Sequence, residues 1–62
     1  MDFSNKDIKN CIFALKNSIR YHADLEKQLT SVDLKEEIRE MRISMEETLK
    51  ELKEDYRKRI FD

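Results

Sequence analysis

The sequence predicts an all-α protein: an antiparallel two-helix hairpin that pairs with a second copy to form a four-helix bundle. Two apolar stripes at helical spacing carry the prediction, with a composition that lacks both glycine and proline and is 44% charged. Turn-rich β architecture requires the residues that are missing. A disordered segment would not carry 39% hydrophobic residues in so regular a pattern.

The first helix begins at Ser4, whose hydroxyl is placed to accept from the backbone N–H of Asp7 as an N-cap. Asp7 lies against the positive end of the helix dipole, and Phe3 is placed to staple onto Ile8. Ile8, Cys11, Ile12, Leu15, Ile19, His22, Leu25 and Leu29 then recur at steps that share one helical face. The second helix carries Leu34, Ile38, Met41, Met45, Leu49, Leu52, Tyr56 and Ile60 on its own stripe. Run through as one straight helix, the two stripes point roughly 120° apart, so the chain is expected to stop and reverse. Thr30 and Ser31 are the capping residues at that place, Thr30-x-x-Asp33 matches a capping box, and Arg57, Lys58 and Arg59 complement the negative pole at the far end. Glu46 with Lys50, Glu54 with Lys58 and Asp55 with Arg59 supply favourable pairs four residues apart. The expected single domain has a first helix over about residues 5–29, a turn at about 30–32 and a second helix over about 33–60, two helices of matched length.

A domain of 62 residues buries little of its own surface and calls for a disulfide, a metal or a partner chain. Cys11 is the one cysteine, so no disulfide forms within the chain. Self-association is therefore the leading expectation, as a homodimer whose core includes Ile8, Ile12, Leu15, Ile19, Leu25, Leu29, Leu34, Ile38, Met41, Met45, Leu49 and Leu52. Phe13 and Ile43 lie off the main stripes, and with Met41, Met45 and Tyr56 they are the interface candidates. The alternative occupant of such a surface is a different protein, with this chain as an adaptor or inhibitor.

Other chemistries are weighed on particular residues. His22 and Glu26 share a face four residues apart, as ligands of a metal-binding bundle would, but Glu-x-x-His is absent and the inward positions of the second helix are Met and Leu. No metal or other cofactor is expected. The pairs Glu36-Glu37 and Glu46-Glu47 belong to a solvated face, and no phosphate loop or nucleophile motif occurs, so no catalytic residue and no enzymatic activity are expected. Arg39, Arg42, Lys16, Arg20 and Arg57-Lys58-Arg59 suggest a nucleic-acid-binding hairpin dimer. Interleaved acids and a net charge of −1 disfavour it. No apolar run reaches the length of a membrane span, and Met1-Asp2-Phe3-Ser4-Asn5 lacks the pattern of a signal peptide, which implies a cytoplasmic setting.

Asp7-Ile8-Lys9-x-x-Ile12-x-Ala14-Leu15-Lys16, followed by Leu34-Lys35 and by Met45-Glu46-Glu47-x-Leu49-x-x-Leu52, resembles a group of small two-helix proteins of unknown function from spore-forming Firmicutes. The resemblance implies a small bacterial helical protein and no reaction.

Overall fold

The structure is a computed structural model that describes residues 3–61; Met1, Asp2 and Asp62, two of them in the opening read for a signal peptide, lie outside the described residues. It is an all-α hairpin. Helix α1 spans Asn5–Gln28 and helix α2 spans Val32–Phe61, and the two pack antiparallel against each other with no strand among the described residues. No described helix is long and apolar enough to cross a membrane.

The start of α1 is the one the sequence implies. Ser4 Oγ accepts from Asp7 N–H at 3.1 Å, while the Asp7 carboxylate accepts from Ser4 N–H at 3.2 Å, a reciprocal capping box. The helix ends at Leu29, whose extended backbone (φ −78°, ψ 141°) turns the chain away. Leu29, Thr30 and Ser31 form the turn, one residue earlier than expected. The cap of α2 is Ser31 rather than Thr30: its Oγ accepts from Leu34 N–H at 3.4 Å and its carbonyl accepts from Lys35 N–H at 3.0 Å. Leu34, three residues on, has no polar group to return the bond, so this cap is one-sided.

The helices are not matched in length: α2 has 30 residues against 24 in α1. The overhang of about 9 Å, at 1.5 Å per residue, is met by the segment before α1. There Arg59 Nη1 donates to the Phe3 carbonyl, and Arg59 Nε donates to Asp55 at 3.0 Å.

One seam joins the helices. On α1 it runs through Ile8, Ile12, Leu15, Ile19, His22 and Glu26, ending at Leu29; on α2 it runs through Lys35, Ile38, Arg42, Met45, Leu49, Leu52 and Tyr56. Steps of three and four alternate strictly on both sides, which is the 3.5-residue repeat of a coiled coil. The apolar stripe of α2 is different. From Leu34 to Ile60 its mean step is about 3.7 residues, so it drifts across a 3.5-residue seam instead of following it. Leu34, Met41 and Ile60 therefore stand about half exposed, and Lys35 and Arg42 take seam positions near the turn. Cys11, read on the stripe of the first helix, is likewise exposed.

Candidate interaction surfaces

The seam has two halves of different chemistry. Toward the chain ends it is apolar, with Ile8, Ile12 and Leu15 against Leu49, Leu52 and Tyr56; Ile8, 2% exposed, is the one buried hydrophobic residue among those described. Toward the turn it is polar. Ser18 Oγ lies 3.2 Å from Met45 Sδ across the seam. His22 Nδ1 lies 2.7 Å from the Ser18 carbonyl, an acceptor only, so Nδ1 carries the proton, and the ring meets Tyr21 edge to face at 5.7 Å. Glu26, with its side chain 17% exposed, receives Arg39 at 2.8 Å and Arg42 at 3.4 Å. The hydrogen bond from Arg39 holds the Glu26 carboxyl below the usual carboxylate range, the charges of Arg39 and Arg42 act in the same direction, and partial desolvation opposes them. Arg42 also reaches Glu46 at 3.0 Å, which leaves its buried Nε without a partner among the described residues.

This arrangement explains residues that the sequence offers for other roles. Glu26 is engaged by two guanidinium groups and His22 Nδ1 by a carbonyl. Among the described residues no three His, Cys, Asp or Glu side chains converge as a metal site would need. Of the three expected pairs along α2, only Asp55 with Arg59 forms; Glu46 turns to Arg42 instead of Lys50, and Glu54 makes no ion pair with Lys58.

Outside the seam the hairpin has two broad flanks. Lys9, Phe13 and Lys16 of α1 line a groove with Lys53 of α2, and Ala23 and Lys27 line another with Arg39, which places these residues on one side. Seven-residue steps, two turns each, extend this flank to Arg20 on α1 and to Glu36, Ile43, Glu46, Lys50, Arg57 and Ile60 on α2. Its α1 half is purely cationic, and Glu36 and Glu46 are its acids. No carboxylate of the described residues pairs with Lys9, Lys16, Arg20, Lys27, Lys50, Lys53 or Arg57.

The opposite flank is formed by Cys11, Ala14, Ser18, Tyr21, Leu25 and Gln28 on α1 and by Leu34, Glu37, Met41, Ser44 and Thr48 on α2. Glu37, and Glu51 opposite Cys11 and Ala14, are its formal charges over that span. The outer edge of α2 is acidic, with Asp33, Glu40, Glu47 and Glu54 at seven-residue steps. Charges that alternate along the chain are thus sorted by side once it is folded.

The interface candidates divide accordingly. Met45 and Tyr56 are half-buried in the hairpin's own seam, Phe13 and Ile43 stand on the basic flank, and Met41 stands on the uncharged flank. The uncharged flank as a unit is not visible from the apolar stripes, because Ala14, Ser18, Ser44 and Thr48 are not hydrophobic enough to register. Seven-residue steps from Cys11, Ala14, Leu34 and Glu37 would have found it. Lys58 and Arg59 point away from the basic flank, Arg59 into its contacts with Asp55 and Phe3. Searches against protein-family models, curated proteins and solved structures find no match to this chain.

Proposed function

We propose that this chain is a non-enzymatic assembly module that self-associates through its uncharged flank, two hairpins closing as a four-helix bundle. The observation that carries this reading is the continuity of that flank, where apolar and small side chains of both helices run side by side with two charges, Glu37 and Glu51, among them. Small residues such as Ala14, Ser18 and Ser44 let helices approach closely, while Tyr21, Leu34 and Met41 supply the apolar area.

The area supports the same reading. A compact protein of 7.6 kDa would expose about 4300 Å². The hairpin exposes 5226 Å², with large apolar side chains on its surface. The excess, about 900 Å², is comparable with the roughly 800 Å² that each partner contributes to a standard interface. A second copy is self-complementary by symmetry, and its like flank carries few charges to repel the first, the carboxylates of Glu37 and Glu51.

The test is the solution mass of two variants. Met41→Lys places a charge in the proposed interface and is expected to give a helical monomer, whereas Ile43→Lys, on the basic flank, is expected to leave the dimer intact. Dissociation by Ile43→Lys with Met41→Lys still dimeric would overturn the choice of flank. A wild-type chain that is a helical monomer at every concentration would give the flank to a different protein, the adaptor or inhibitor reading.

A further inference from the structure

The basic flank remains outside that proposed interface and has its own chemistry. On α1, Lys9, Lys16, Arg20 and Lys27 extend over about 27 Å of helix, with Asp24 one turn from Arg20 and Lys27 and with none of the four cations in an ion pair with a described carboxylate. On α2, Arg39, Lys50, Lys53 and Arg57 form the facing row, and Arg39 alone of these eight is held by a carboxylate among the described residues. The net charge of −1 hides this, because most of the compensating acids lie on the outer edges of the helices and on the far side, with Glu36 and Glu46 the two on the flank itself. At physiological salt a charge is screened over about 8 Å, so the acids on the far side of a molecule 14 Å thick at its thinnest contribute little at this flank. A polyanion approaching the basic flank meets chiefly its cations.

We infer that this flank binds the phosphate backbone of duplex DNA, without reading its sequence. Two helices side by side make a face 21 Å across, too broad for a major groove that is about 12 Å wide. Contact is therefore with the phosphate rims, and two cation rows on helices roughly 8–10 Å apart suit the two strands that border the narrow minor groove of B-form DNA. The flank lacks the row of aromatic platforms that single strands stack on; Phe13 shares its groove only with the half-buried Tyr56. An anionic membrane fits less well, since Phe13, Ile43 and Ile60 are separate points along the hairpin rather than a continuous apolar face. The inference does not depend on self-association, although a dimer joined through the uncharged flanks would present two basic flanks outward.

The experiment uses the full chain with short labelled B-form duplexes of two unrelated sequences, read by fluorescence anisotropy across a salt series. Expected is binding of both duplexes at about 50 mM salt, with the logarithm of affinity falling linearly against the logarithm of salt. Two double variants, Lys9→Gln/Lys16→Gln on α1 and Lys50→Gln/Lys53→Gln on α2, each keep the helix and are expected to weaken binding to both sequences. Each should shallow the salt slope by roughly 2, about one per lysine. Lys58→Gln, away from this flank, should leave affinity within about twofold. No binding at low salt, or salt slopes unchanged in both double variants, overturns the inference. Tighter binding to an RNA duplex, or to phosphatidylserine vesicles with none to DNA, overturns the choice of DNA.

Discussion

Truncation of Ile8 separates burial from size. Ile8→Ala removes three carbon atoms from the one buried hydrophobic side chain among those described. At about 0.8 kcal/mol for each buried methylene, the lost transfer energy is about 2.4 kcal/mol, and incomplete collapse of the site adds to it. Ile8 lies near the end of the hairpin, where the backbone can relax, so the cost is expected near the lower end of the 2–5 kcal/mol range for such truncations. Phe13→Ala removes a larger side chain, but one that is 67% exposed, and is expected to cost about 0.5 kcal/mol or less. Urea melts followed by circular dichroism, at matched protein concentration, read the difference. With a slope of about 1 kcal/mol per molar urea, Ile8→Ala should lower the midpoint by roughly 2 M and Phe13→Ala by less than about 0.5 M. Equal losses, or a larger loss for Phe13→Ala, would refute the assignment of faces.

Other predictions concern the polar end and the cap. The folded-state pKa of Glu26 is depressed, so its pairing with Arg39 and Arg42 stabilises the fold above the unfolded carboxylate pKa and is lost as pH falls through the folded value. Glu26→Gln should therefore flatten the pH dependence of the melting temperature below about pH 5, and an unchanged acid limb would contradict this. Ser4→Ala should cost about 1 kcal/mol, more than Ser31→Ala, because the Ser4 cap is shorter and reciprocated. Thermal melts of the two variants decide the order.

The hairpin was legible in the sequence because helix periodicity, the Ser4 cap and the reversal near Thr30 are local properties of the chain. The register of the second helix was not. Leu34, Met41 and Ile60 belong to its apolar stripe, but the stripe advances faster than a two-helix seam allows, and Arg42 enters the contact where Glu26 can answer it. Only the path of α1 fixes which residues of α2 are covered. The charge pattern fails for a related reason: Arg39 sits among Glu36, Glu37 and Glu40 in sequence, yet Glu37 and Glu40 face other directions once the helix forms. Interleaving along a chain averages charges that a fold separates. Cys11 and Ala14 illustrate a further limit, since small residues announce a contact surface only when their neighbours on the adjacent helix are known.

The most direct measurement is sedimentation equilibrium of the unmodified chain over a dilution series, with circular dichroism at each concentration. Self-association through the uncharged flank predicts a mass of two chains that falls toward one on dilution, with helix lost as the dimer dissociates. A single-chain mass at all concentrations, with helix content unchanged, would contradict it.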